Sequence, residues 1–409
     1  MSIREDAADL REELTVLRRD LHREPELGLD LPRTQEKVLA ALDGLPLEIT
    51  TGEALTSVTA VLRGGRAAAG RPDGTRGPAV LLRGDMDALP VQEDTGLDYA
   101  SAIPGRMHAC GHDLHVAGVV GAAKLLAARR DELPGDIVFM FQPGEEGQGG
   151  AEIMIDEGVL DAAGDRVAAA YALHVFSTGL PQGTAVTRPG AILAASDAVH
   201  VTVRGKGGHG SSPHAAKDPV PALAAMVTAL QTMVTRDLDV FDPAVVTVGS
   251  VHAGSAANVI PETGTLEATV RSFSPDAHRR VRAGIERVVR GVAEAHGVAV
   301  DIDYEEQYPV TVNDGAQAAF ALETARDVLG DERAFELPRP FTGSEDFSFV
   351  LNRVPGAFIG LGACPADRDP ATAPMNHAPQ AAYDDAVLPD AAALLAELAV
   401  RRLAREDAS

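Results

Sequence analysis

The chain has 409 residues, 45% hydrophobic and 23% charged, a composition typical of a folded protein and a length that calls for two domains rather than one core. Asp and Glu number 60 against 36 Lys and Arg, a formal net charge of -24. So acidic a surface repels phosphate backbones and anionic lipid, which excludes nucleic acid and membrane surfaces as partners. By the same reasoning an anionic substrate needs a local basic residue.

The opening MSIREDAADLREEL alternates charged and apolar residues as an amphipathic helix does and a secretory signal does not. The stretch 64–78, rich in Gly, Ala and Arg, separates SVTAVL from AVLLR and is expected to be a flexible hairpin loop. Apolar runs at 79–82, 137–141 and 167–173 alternate with helical patterns, notably 113–130 with Asp113 as its N-cap, and another apolar run lies at 357–361. Such alternation predicts an α/β fold, a mostly parallel sheet flanked by helices on both faces. The apolar stretch near Val116 to Ala128 is broken by Lys124 and is too short to span a bilayer.

The rhythm changes between 194 and 307. A strand (198–203), a helix (219–236), two strands (245–252, 264–272), a second helix (275–296) and a last strand (298–304) follow in turn. That order, β-α-β-β-α-β, is the ferredoxin-like pattern. It predicts an inserted domain, 194–307, between two parts of a first domain, 1–193 and 308–409. The only cysteines, Cys110 and Cys364, make no disulfide framework, and a cytoplasmic location is expected.

The first three apolar runs lead into GDMD, QPGEE and His174. Ligands in such sheets bind beyond the carboxyl ends of the strands, so these groups point to one site. In HACGHD, Cys110 and His112 can reach one metal ion from a strand-to-helix junction. Alone the pair is a weak signal, and His108, His112 and His115 offer a rival set on one helix face. Glu145 and Glu146 are adjacent carboxylates whose repulsion a nearby cation relieves. His174 ends a buried run, where a satisfied core histidine is an equal reading, and His377 stands in the Pro-rich PMNHAP. Together one thiolate, one carboxylate and three imidazoles suffice for one or two divalent ions and leave a spare carboxylate as base.

MHACGHDLH, FQPGEEGQGGA, ALHV, GKGGHGSSP, NVIP, GSEDFS and NHAP follow one another as in the aminoacylase, carboxypeptidase and hippurate hydrolase family of metallopeptidases. The chain resembles that family from about residue 21 (LHREPELG) to about 388, in the spelling of bacterial hippurate hydrolases and plant auxin-conjugate amidohydrolases. The resemblance implies a zinc-exopeptidase-like catalytic domain bearing two metals and a lid domain that mediates homodimerisation. By position, Cys110, His112, Glu146, His174 and His377 match the metal ligands and Glu145 the general base. His209 matches a lid histidine that polarises the scissile carbonyl, often across the dimer. Asn258 and Arg271 match lid positions that grip the substrate carboxylate. Asp85 stands where many relatives carry a metal-binding histidine and is left out of the ligand set, while Asp87 is expected to orient a ligand.

The reading is hydrolysis of the amide bond of N-acyl amino acids by metal-activated water. A dipeptidase or carboxypeptidase using the same site is the alternative. A catalytically dead binding protein would have lost one of these residues, and no G-x-G-x-x-G supports an oxidoreductase. Thiolate and imidazole suit zinc, with manganese or cobalt as further candidates.

Overall fold

The apolar runs are strands of one sheet. In a computed structural model describing residues 2–68 and 77–407, eight strands lie in the order Leu47–Thr51, Val58–Leu62, Asp136–Gln142, Ala79–Asp85, Ala169–Phe176, Gly356–Gly362, Ala185–Thr187 and Ala334–Glu336. The four from Asp136–Gln142 to Gly356–Gly362 run parallel, and antiparallel partners flank them. These central strands are buried almost throughout, as continuous apolar runs between two helical layers should be. The helix His112–Ala127 is buried on nearly every side. Its sequence, VAGVVGAAKLLA after the first turn, is apolar all round except for Lys124.

Two details differ from expectation. The strand Asp136–Gln142 lies between Val58–Leu62 and Ala79–Asp85, so these two strands are not neighbours and form no hairpin. The described start of the segment 64–78 is a helical turn, Gly65–Ala68, and residues 69–76 lie outside the described residues. Asp113 is also not an N-cap. Gly111 caps the helix with φ 87°, because Asp113 is already inside the first turn, paired with Arg18 at 2.8 Å and His22 at 2.7 Å.

The chain divides into two units. The sheet belongs to the first, Met1–Ile192 with Val312–Arg339 and Phe349–Ser409; the second is Leu193–Thr311 with Pro340–Ser348. In the second unit an antiparallel sheet has the order Ala244–Ala253, Thr263–Ser272, Ala195–Arg204, Ala299–Tyr308. With helices Pro219–Asp237 and Pro275–His296 it has the ferredoxin-like chain order. Val199, Val201 and Val203 alternate inward against Leu223, Met226, Val281 and Ile285, the half-buried strand pattern. Asp218 and Ser274 cap the two helices. No described helix is long and apolar enough to cross a membrane.

Candidate metal centre

The carboxyl ends of the first unit's strands place the site. Ala79–Asp85 runs into Asp87, Asp136–Gln142 into the turn bearing Glu145 and Glu146, and Ala169–Phe176 carries His174. Asp87 binds two of these segments together. Its carboxylate accepts the backbone N–H groups of Glu145 (3.0 Å) and Glu146 (2.9 Å), and its carbonyl oxygen accepts from His112 Nδ1 at 2.8 Å.

Cys110 is the centre of the constellation. Its Sγ lies 3.4 Å from His174 Nε2 and 3.3 Å from His377 Nε2. His377 Nε2 is also 3.3 Å from Glu146 Oε1. Two donor triads therefore share the cysteine: Cys110, His112 and His174, and Cys110, Glu146 and His377. Two donors at tetrahedral angles about an ion, with bonds of roughly 2.0–2.3 Å, stand roughly 3.3–3.6 Å apart. The observed spacings are of that size.

His112 tests whether a cation fits. Because Nδ1–H donates to the Asp87 carbonyl, neutral His112 presents a lone pair on Nε2, which is buried and has no hydrogen-bond partner. Its neighbours are Asp85 Oδ2 at 3.5 Å, Glu145 Oε2 at 3.9 Å and Glu146 Oε1 at 3.9 Å. Ringed by acceptors, this nitrogen must either carry a proton or face a cation. Burial pushes His112 towards its neutral form, yet Asp85 and Cys110 outweigh it and hold its pKa well above the ordinary value. Hydrogen bonds to Cys110 and Glu146 similarly lift His377 to about 10. His174 goes the other way, well below its usual value, through burial and the adjacent His115. The donors fit divalent metal.

His115 is committed elsewhere. Its Nε2 accepts the Val175 N–H at 2.8 Å, so the proton sits on Nδ1 and is donated to Asp85 Oδ1 at 2.5 Å. No lone pair remains for a metal. His108 is buried beside His22, ring centroids 6.2 Å apart, so 108, 112 and 115 form no common ligand set. Asp85, fully buried, also receives Arg83 Nη1 at 2.6 Å. An arginine inside the apolar run AVLLRGD was the signal for that buried partner.

In the second unit, His209 is exposed on the short strand Gly208–His209, paired with Val259. Its Nδ1 accepts from Ser211 N at 3.1 Å. Gly210 N donates to the Asn258 carbonyl at 2.8 Å, so His209 and Asn258 share one loop pair. Arg271 lies on a different element, the strand Thr263–Ser272, bonded through Nη1 to Thr269 Oγ1 at 2.7 Å.

Comparison with known proteins agrees with this architecture. The profile of peptidase family M20/M25/M40 matches residues 81–401. The IAA-amino acid hydrolase ILR1-like 4 of Arabidopsis thaliana is 37% identical over 397 residues, covering 96% of this chain and 86% of the relative. The N-acetylcysteine deacetylase of Bacillus subtilis is 36% identical over 388 residues, 95% of this chain and 96% of the relative. A crystal structure from Bacillus subtilis, described as a dinuclear metal binding peptidase from the M20 family, superposes with a TM-score of 0.80 at 32% identity, covering 97% of this chain and 99% of that one. With four-fifths of its length matched and the donor triads in place, the chain belongs to peptidase family M20/M25/M40 and is a hydrolase of amide bonds.

Proposed function

We propose that the chain is a metal-dependent amidohydrolase that releases an amino acid from its N-acyl conjugate. The observation that carries this reading is the pair of donor triads sharing Cys110, with Glu145 beside them and outside both. Cys110, His112 and His174 would hold one divalent ion and Cys110, Glu146 and His377 a second. Thiolate with imidazole favours zinc, and manganese or cobalt can fill such sites. When bound, the ions lower the pKa of water and polarise the amide carbonyl.

Glu145 takes the proton of the attacking water as the new C–O bond forms and delivers it to the amine nitrogen as the C–N bond breaks. Asp87, accepting the Glu145 amide at 3.0 Å, keeps that carboxylate on its turn. His209 would polarise the carbonyl, and Asn258 with Arg271 would grip the free carboxylate of the substrate. These three roles rest on the family resemblance, as does a homodimer formed through the second unit, while a cytoplasmic location rests on the scarcity of cysteine. A basic clamp accounts for an anionic substrate on a protein of net charge -24.

The test is a screen of N-acetyl, N-benzoyl and N-indoleacetyl amino acids beside dipeptides, on metal-free protein reconstituted with one metal at a time. The metal-free protein should be inactive and the N-acyl amino acids preferred. Turnover confined to peptides would make it a dipeptidase or carboxypeptidase. Full activity after chelation, with metal absence confirmed by elemental analysis, would remove metal from the reaction.

A further inference from the structure

Three of the donor segments meet at one side chain that is itself no donor. Asn376 Oδ1 accepts from Ser177 N at 3.0 Å and lies 3.0 Å from Ser177 Oγ, whose one proton it shares with the Pro374 carbonyl at 2.8 Å. Its Nδ2 donates to the Val175 carbonyl at 3.0 Å and the Cys110 carbonyl at 3.3 Å. Val175 follows His174 in the strand, Cys110 is the shared donor, and His377 is the next residue. Each hydrogen of the amide is used, and its oxygen is used twice.

The amide can take only this orientation, because a flip would set its NH2 against the Ser177 N–H and its oxygen against two carbonyls. The neighbouring backbone is unusual as well. His377 is the one described non-glycine residue with positive φ, 74°, a conformation an L side chain adopts at a cost and keeps only where its surroundings fix it. Its N–H donates to the Ala109 carbonyl at 2.8 Å, one residue before Cys110. The loop bearing His377 is thus tied to the cysteine segment by its own backbone and by Asn376, and Asn376 adds the strand of His174.

We propose that Asn376 is a positioning residue: its amide sets Cys110, His174 and His377 at ligating distance before an ion arrives. The inference rests on the reading of Cys110, His174 and His377 as metal donors. Groups behind metal ligands are typically worth 10–100-fold in metal affinity, and a four-bond clamp belongs in that range.

Asn376→Asp is the sharp variant. It is nearly isosteric and keeps both acceptor bonds from Ser177, but places a carboxylate oxygen against the Cys110 and Val175 carbonyls. Zinc affinity is measured by competition with a chromophoric chelator, and cobalt-loaded protein is read by its thiolate-to-cobalt charge-transfer band. Asn376→Asp should lose about 10–100-fold in affinity and shift or weaken that band at temperatures where the metal-free variant, read by its thermal midpoint, is still folded. Ser177→Ala, which removes the hydroxyl shared between Asn376 Oδ1 and the Pro374 carbonyl and leaves the Ser177 N–H bond in place, should lose affinity in the same direction by less. It carries the test if the Asp variant fails to fold. Wild-type affinity and an unchanged band in both variants would overturn the proposal. A wild-type protein that binds no zinc would instead overturn the metal reading beneath it.

Discussion

Gly111 sits between Cys110 and His112, and replacing it with alanine should damage fold and metal site together. With φ 87° it caps the central helix from the left-handed region, where an added Cβ costs roughly 1–2 kcal/mol. That Cβ would fall 2.4 Å from Val175 Cγ2 and 3.1 Å from Tyr383 Cε1. Neither neighbour can yield easily. Val175 is a buried strand residue whose N–H serves His115, and the Tyr383 hydroxyl donates to the Ala109 carbonyl at 2.7 Å. Overpacking of this kind costs roughly 1–3 kcal/mol, so the total is about 2–5 kcal/mol. Gly96→Ala is the control, because φ there is 71° and nothing lies within 4 Å of the added atom; it should lose only the conformational part. Denaturant unfolding of the metal-free variants gives the stability difference, and elemental analysis after reconstitution gives metal content. If Gly111→Ala loses no more than Gly96→Ala and retains full metal, the packing argument around Cys110 is wrong.

Adjacent carboxylates should behave differently. Glu145→Ala should keep its metal and lose about 10²–10⁴-fold in kcat, whereas Glu146→Ala should lose metal; exchanged phenotypes would shift the assignment by one residue. A substrate amidated at its carboxyl end should be poor for the wild type and less disfavoured by Arg271→Ala, so equal kcat/KM for acid and amide would remove the clamp. Burial drives His108 down to about 3, below the roughly 6.5 of an unfolded chain. Between those values the unfolded chain binds a proton that the folded chain refuses, so stability falls as pH falls through that window. At about 1.4 kcal/mol per pH unit the loss approaches about 4–5 kcal/mol. Metal-free His108→Leu should show a flatter acid limb in denaturant titrations than metal-free wild type, and parallel limbs would contradict this.

Strand runs, the helix after Cys110 and the whole ferredoxin-like order could be read from the sequence because each has a strong period bounded by Gly, Pro or capping residues. The two failures were non-local. Nothing in 64–78 reveals that the strand Asp136–Gln142 inserts beside Val58–Leu62, and Asp113 resembles an N-cap until Arg18 and His22 arrive from another helix. At the site, residue types pointed to the candidate donors that the fold brings together, but His112 and His115 are alike in sequence and differ only in their partners. Asn376 lies inside the NHAP motif, yet nothing there revealed what it does, because its meaning lies in bonds to residues 199 and 266 positions away.

Acid groups converging on one buried point also determine how metal enters. Asp85, Glu145, Glu146 and Cys110 face His112 and His377, while the nearby Arg83 is already bound to Asp85. Without an ion the two imidazoles supply the missing positive charge: His377 is held at about 10 and His112 well above its usual value. Each must shed its proton to become a ligand, so metal binding is a proton exchange. Near neutral pH His377, held at about 10, is protonated before loading, and His112 is shifted in the same direction, so filling both triads should release protons from these imidazoles, with apparent affinity rising as pH rises. Calorimetric titration of zinc into the metal-free protein, in buffers of differing ionisation enthalpy, measures the number released. Zinc binding at neutral pH with no net proton release would show that neither imidazole gives up a proton to the ion.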